Sequence, residues 1–534
     1  MPSFSRRVNT RRLIHVVLVA ALTVAFRLPF LLHADRFFDS DEAVEGLMAR
    51  HVLQGELPIF LWGQHYKGVP EVYLAAAVFA VAGSSVIALK ATTLACFVAF
   101  VCVTFVAVET LFSRRVAWLS AAFLIGGPPS LVLWSMSANA EVALTLLAGS
   151  VMVLAIATWQ RSGARAALAV AGGAAGFALW VHQYIVYYFA AFAIAVALDR
   201  GGRATMRDWL GGANLPAWVR VPTALAMAIG VAYVVVGVVA FARGGFDIPV
   251  RAVSIGFHNP QKLWRIGLAA FMVAAALRVG ARVFREQGRI PRSAVLATGG
   301  GFLLGYAPAL AASMTAPVRA PMGRTDLSAL LQSGGSMLAS IPPIALGFRS
   351  PTTEWLLSPW WGLVLVGIAG LSFAAARTRS LPSFFHALAV VVPALFLASG
   401  SFVDAQSYRY VMVAYGALPV VLSVGVEEIA RWSKAAGALA LVTALGVFAM
   451  EQVAWYRQLT PDDRAASSIS CLDSEGARGA FADYWLSYKV TFLTRERLVV
   501  APLTDDRYPP MTAYVRDLGV SPANQPCRSL LLQY

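Results

Sequence analysis

Charge is what this sequence has least of. Only 13% of its 534 residues are Asp, Glu, Lys or Arg, and that shortage excludes the several soluble domains the length would otherwise allow. Mean hydropathy is +0.66. Apolar runs of about 15 to 25 residues recur throughout, the length a helix needs to cross a hydrocarbon core of about 30 Å. Period-2 alternation is missing, which argues against a membrane β-barrel. There is no zinc-type Cys/His spacing and no Gly-rich loop between strand and helix, so neither a structural zinc site nor a nucleotide-binding loop has a motif behind it. Cysteine is scarce, at four. The net charge of +15 comes from Lys and Arg placed mostly in short connectors, where they orient helices, so nucleic acid is not an expected partner.

What is present reads as an all-α polytopic membrane protein with about thirteen transmembrane helices, near 13–32, 86–111, 116–136, 140–159, 166–182, 184–198, 221–242, 263–280, 294–312, 357–375, 384–400, 408–427 and 435–455. The run 70–83, PEVYLAAAVFAVAG, is short for a crossing. Counting it as a span would also put Arg114 and Arg115 outside, so it is expected to lie at the outer interface. With that choice the inner connectors carry about twice the Lys and Arg of the outer ones, which sets the N-terminus in the cytoplasm and the C-terminus outside. The location expected is a bacterial inner or plasma membrane. The basic start (Arg6, Arg7, Arg11, Arg12) precedes a run that ends at Arg27-Leu28-Pro29 without a clean cleavage site, which reads as a retained first helix.

Two units follow: a transmembrane unit over 1–455, with a first outer loop at 33–85 and further long outer pieces at 243–262 and 313–356, and a small extracytoplasmic α/β domain over 456–534. In the tail RLVVAP reads as a strand and ARGAFADYWLSYKVTFLT as a helix. Cys96 and Cys102 fall inside a span, where a thiol acts as a small hydrophobe. Cys471 and Cys527 both fall in the outer tail, and a disulfide between them is expected to staple a domain of small core.

The densest acidic stretch, FFDSDEAVEGLMARHVLQGE over 37–56, follows the first span directly. Asp39 with Glu42 three residues on has the spacing of a capping box, and Val44, Leu47, Met48 and Val52 form the stripe of an amphipathic helix. A cap accounts for one or two carboxylates but not for Asp39, Asp41 and Glu42 together beside a bilayer. Glycosyl transfer from a lipid phosphate needs a carboxylate to take the acceptor proton and cations to hold the leaving phosphate. Candidate cations are Lys67, Arg251, Lys262, Arg265, Arg349 and Arg409; most of them are equally explained as snorkelling side chains, and Arg409, between Tyr408 and Tyr410 with Asp404 near, carries the most weight.

These residues resemble those of the membrane-embedded GT-C glycosyltransferases, in particular protein O-mannosyltransferases and the aminoarabinose transferase that modifies lipid A. The resemblance lies in Asp41-Glu42 after the first span, in GQHYKGVPEVYLAAAVFAVAG, and in Arg409-Tyr410 of DAQSYRYVMVAYGALP. It implies a GT-C-like fold in which Asp41 activates the acceptor, with Asp39 as the substitute if the register differs. Lys67 and Arg409 would contact the phosphate. The chain departs from the family at Lys67-Gly68-Val69-Pro70, where two prolines are usual after the Lys, and at Val411-Met412-Val413. Glu71 is expected to serve the acceptor or a cation, and Arg27-Leu28 fits the end of the family's first span. His182, with Gln183 and Tyr184, and Asn139 with Glu141 are read either as pocket-lining or as satisfied interfacial groups. His258 is read as structural or substrate-contacting. A divalent metal is permitted by paired carboxylates but indicated by no ligand spacing. The expected activity is transfer of a hexose or pentose from a polyprenyl-phosphate donor to an extracytoplasmic lipid, glycan or protein, with inversion. Its rivals are a transporter or flippase of polyprenyl-linked sugars, and a non-catalytic membrane scaffold.

Overall fold

A computed structural model describes residues 10–139, 142–198, 217–243, 245–250, 253–257, 292–313, 327–378, 382–399 and 404–532, with a few single positions between. Seven described helices are long and apolar enough to cross a membrane, or eight if one bent pair is a single span, and four shorter apolar helices accompany them. The chain is a membrane protein built mostly of helices. All but single positions of the expected span at 263–280, and His258, Arg251, Lys262, Arg265 and Glu141, lie outside the described residues.

The chain opens with α1 (Thr10–Leu31) and, after a short 3-10 turn, α2 (Ser40–Leu53). A tight antiparallel hairpin, β1 (Phe60–Leu61) and β2 (Gln64–Gly68), leads into α3 (Pro70–Ala82), whose proline at the first turn starts it and whose Gly83, at φ +78°, ends it. Then come α4 (Val86–Leu111), α5 (Arg114–Ile125), α6 (Pro129–Trp134), α7 (Val142–Ser162), α8 (Arg165–Val181), α9 (Ile185–Leu198) and α10 (Ala217–Arg243).

Sequence reasoning expected one continuous span over 116–136. The structure breaks it at Gly126-Gly127-Pro128, because proline supplies no N–H and disfavours helix in the residue before it. The carbonyls orphaned by the break are met by Arg27 of α1, fully buried, whose guanidinium donates to Leu124 O at 3.0 Å, to Ile125 O, and to Ser135 Oγ at 3.0 Å.

A hairpin of β3 (Phe246–Val250) and β4 (Val253–Phe257) occupies part of the expected 243–262 loop. After α11 (Arg292–Ser313), much of the loop expected at 313–356 is instead α12 (Leu327–Ala345), a helix that holds Pro342 and Pro343 in its last turn. Next come α13 (Gly362–Thr378) and α14 (Ser383–Ser399). The expected span at 408–427 is two pieces: a 3-10 helix, Ala405–Gly416, then α15 (Leu418–Trp432), bent by 56°. Gly416 and Pro419 flank the bend; a side chain at Gly416 would overlap the Tyr188 hydroxyl. Helix α16 (Lys434–Gln458) completes the apolar part.

The tail runs α17 (Asp463–Ser474), β5 (Gly479–Ala482), α18 (Tyr484–Leu493), β6 (Val499–Pro502), α19 (Pro509–Asp517) and α20 (Arg528–Leu531). Strands β5 and β6 pair in parallel, which α18 makes possible as the crossover. Cys471 of α17 and Cys527, which precedes α20, are joined with Cα atoms 6.1 Å apart. Tyr484, Tyr488 and Phe492 of α18 share one buried cluster with Phe38, Val44, Leu47, Met48 and Phe79. Gly46 of α2 allows this approach, since a Cβ there would collide with the Phe492 ring. The tail therefore packs directly on α2 and α3.

Candidate functional site

Ser40 to Leu53 fold as a helix whose first turn presents the acidic residues in three different directions. Asp39 is the N-cap: its Oδ1 accepts the Glu42 N–H at 3.0 Å. It remains exposed. The protein crowded around its carboxyl, and then the charge of Asp41, push its pKa above the ordinary carboxylate range.

Glu42 turns inward. Its two oxygens accept from Lys90 Nζ at 2.6 and 2.7 Å, and Oε2 also accepts the Ala138 N–H at 3.0 Å. Lys90, fully buried at the start of α4, donates as well to Phe37 O and lies 4.3 Å over the Phe37 ring. Burial lifts the Glu42 pKa to about 7 against the pull of Lys90. This is a pinned, water-excluded ion pair.

Asp41 lies between the two, partly open, and is met by groups from two distant parts of the chain. Arg507 Nη2 is 3.1 Å from Oδ1, and Arg409 Nη1 is 3.8 Å from Oδ2. Tyr484 donates its hydroxyl to Oδ1 across 443 residues of sequence. Burial, and next the Asp41 charge, raise the Tyr484 phenol well above its ordinary pKa, so it stays a donor. Arg507 is held over the Tyr484 ring at 4.8 Å, and the Gln64 amide oxygen, once the amide is turned to face it, accepts from Arg507 at 3.0 and 3.3 Å. Gly63 makes room for this strap: its φ is +69°, and a Cβ would sit 3.2 Å from the Arg507 Cα. Beside it Trp62 stacks on Tyr508 with ring centroids 3.8 Å apart.

Arg409 begins from the 3-10 segment, whose N-cap Asp404 forms a full capping box with Ser407. Its guanidinium reaches Tyr410 Oη at 3.2 Å and lies 5.1 Å from that ring. Tyr410 packs on Tyr184, Tyr184 on His182, and His182 on Tyr66 of the hairpin, so an aromatic chain runs from Arg409 to His182. His182 is buried, and its Nδ1 accepts the Tyr184 N–H at 3.3 Å. Lys67 and Glu71 are also buried. Lys67 donates to Asn139 Oδ1 and lies 4.0 Å from Glu45, while Thr93 donates to Glu71. Arg349 stands apart, bonded to Thr353 O at 2.8 Å and placed over Trp355 within its own turn. Among the described residues no three His, Cys, Asp or Glu side chains converge as a metal site would need.

The structure thus brings Asp39, Asp41, Arg409 and Tyr410 to one place. It puts Glu42, Lys67 and Glu71 into buried polar contacts behind them. Sequence reasoning missed Lys90, Tyr484 and Arg507. A lysine at the start of an apolar span looks like an interface anchor, and the tail residues are joined to Asp41 by tertiary folding alone.

No family model matches the sequence, and no curated protein matches it. Among solved structures the chain is similar to an oligosaccharyltransferase from Archaeoglobus fulgidus at 14% identity and TM-score 0.49, covering 92% of this chain and 62% of that one. This chain therefore spans less than two thirds of that protein's length. It is also similar to apo ArnT from Cupriavidus metallidurans, at 12% identity and TM-score 0.49, covering 94% of this chain and 87% of that one. The same ArnT bound to undecaprenyl phosphate gives 15% identity and TM-score 0.35 over 94% and 88% of the two chains.

Proposed function

We propose that this membrane protein is a glycosyltransferase that moves a sugar from a polyprenyl-phosphate carrier to an extracytoplasmic acceptor. The observation that carries this reading is the arrangement at Asp41: a partly open carboxylate beside two arginines, in the first turn of α2, in a chain with helices of membrane-spanning length. Lipid phosphates sit at headgroup depth, so a site of this chemistry belongs where these groups are. The residue pattern of Asp41-Glu42 and Arg409-Tyr410, which resembles that of GT-C enzymes, supports it further.

In the proposed step Asp41 takes the proton of an acceptor hydroxyl or amide as its oxygen or nitrogen attacks the anomeric carbon. The bond from that carbon to the phosphate oxygen breaks, the electron pair leaves with the polyprenyl phosphate, and the anomeric centre inverts. Arg409 offsets the charge growing on the leaving phosphate. Glu42, clamped by Lys90, fixes the start of α2 and so the direction of Asp41. One oxygen of Asp39 is already used as the helix cap, which favours Asp41 as the base. The disulfide in the tail supports an extracytoplasmic C-terminus, since such bonds persist in oxidising compartments.

The test is sugar transfer by the purified full chain in nanodiscs, with radiolabelled polyprenyl-phosphate sugars and a membrane extract as acceptor. Asp41→Asn should lower transfer by about 10³-fold or more, as loss of a general base with its positioning does. Asp39→Asn should retain most of it. Loss confined to Asp39→Asn would move the base by two residues, and transfer surviving the double substitution would sink the assignment.

A further inference from the structure

A general base that is already engaged by two arginines and a phenol is not ready to take a proton. Asp41 is in that state. Its Oδ1 is held by Arg507 at 3.1 Å and by Tyr484, and its Oδ2 faces Arg409 at 3.8 Å. Two guanidinium groups around one carboxylate form the environment that a phosphate monoester or diester also selects, because the planar fork of Arg fits both anions. One of the two comes from the tail, and its presentation is built rather than incidental. Arg507 is fixed from four sides: the Tyr484 ring beneath it, the Gln64 amide, the Gly63 turn against its Cα, and its own backbone N–H donated to Tyr488 Oη at 2.8 Å. The guanidinium is mostly buried, its side chain 15% exposed.

We propose that Arg507 is the second phosphate-binding arginine of this site, and that Asp41 occupies the phosphate's place while the donor is absent. The inference rests on the lipid-phosphate reading of the site. Arrival of the donor phosphate between Arg409 and Arg507 displaces the Asp41 carboxylate, which loses its cationic partners and gains the freedom to reach the acceptor. The same exchange couples the two substrates: the base is released only when there is a donor to attack. The tail domain is then part of the catalytic unit, because it supplies Arg507 and the phenol that holds Asp41 back.

The experiment measures equilibrium binding of undecaprenyl phosphate to the purified full chain in nanodiscs, alongside sugar transfer and thermal unfolding. Three results are expected together. Arg507→Gln weakens binding about 10-fold or more, and Arg507→Lys recovers part of it, since it restores the charge without the fork. Asp41→Asn binds undecaprenyl phosphate more tightly than the wild type, because the competing carboxylate is gone, even though transfer is abolished. A purely structural role for Arg507 predicts that Asp41→Asn gains the same affinity in the Arg507→Gln background as in the wild type, through Arg409 alone, and that result would overturn the inference. Unchanged affinity in Arg507→Gln at wild-type unfolding temperature would overturn the inference and leave the glycosyltransferase reading standing. If Arg507→Gln unfolds early, the Asp41→Asn affinity decides alone: equal or weaker binding than wild type overturns the inference. Failure of the wild type to bind the lipid phosphate at all would overturn both.

Discussion

At the residue scale, three neighbouring carboxylates have been given three fates by their partners. Asp39 caps, Asp41 faces the arginines, and Glu42 is buried against Lys90. The last arrangement is the most costly to disturb. Removing one member of a buried ion pair leaves the other charge without compensation, an effect of about 3–5 kcal/mol, whereas replacing both by neutral groups is far milder. Lys90→Met is therefore expected to lower the unfolding temperature strongly and to reduce transfer through misplacement of α2. Lys90→Met with Glu42→Gln should regain most of the stability. If the single and double variants melt alike, the pair is not what holds this turn. The sequence marked this stretch as the densest acidic cluster and showed which residue types it holds. It did not show which carboxylate went where, because that depends on a lysine 48 residues downstream and on tail residues more than 400 away.

At the scale of elements, the described helices were legible where an apolar run was uninterrupted, as over 86–111, and illegible where backbone chemistry broke it, as over 116–136. Hydropathy cannot see the Gly126-Gly127-Pro128 break or the 3-10 turn before α15, since both keep the run apolar. It also could not show how closely α8 and α11 meet. A Cβ at Gly172 or Gly176 would overlap backbone carbonyls of Thr298 or Phe302, and one at Gly301 or Gly305 would overlap those of Ala169 or Gly173. Small residues on both helices let the backbones approach, which is how apolar helices gain packing inside a membrane, where there is no hydrophobic gain from leaving lipid. Gly176→Ile is predicted to push the pair apart, because the obstacle is backbone and cannot swing aside. A cysteine pair on exposed positions of the two helices should crosslink readily in the wild type and poorly in this variant. Equal crosslinking would mean the contact tolerates a side chain.

At the scale of the whole molecule, the central question is what docks the tail on α2 and α3, because that contact presents Arg507 and Tyr484 to Asp41. Besides the shared apolar cluster, the contact has a titratable clasp. His51 of α2 lies 2.8 Å from Glu56 and 3.2 Å from Glu496 of the tail, and Arg50 reaches Phe492 O at 2.8 Å. The hydrogen bond to Glu496 leads in raising the His51 pKa, against its partial burial, with Glu56 adding to it. A group whose pKa rises on folding stabilises the folded form fully below its unfolded value, about 6.5 for His, and loses that contribution as pH climbs through the folded value. Glu496 shifts the other way, because His51 and Arg50 offset its burial, so its share is present above the ordinary Glu range and lost in acid. The clasp should accordingly be tightest in weakly acidic solution, where imidazolium and carboxylate coexist, and should loosen above neutrality. Hydrogen exchange of 484–493 ought to speed up between pH 6 and pH 8.5, after correction for the intrinsic pH dependence, by a few-fold, corresponding to about 1 kcal/mol for a partly exposed pair. In His51→Gln the corrected rate should be higher at pH 6 and flat across the range. A wild type with no such rise would assign the docking to the contacts that do not involve His51, the apolar cluster around Phe492 and the Arg50 bond to Phe492 O among them.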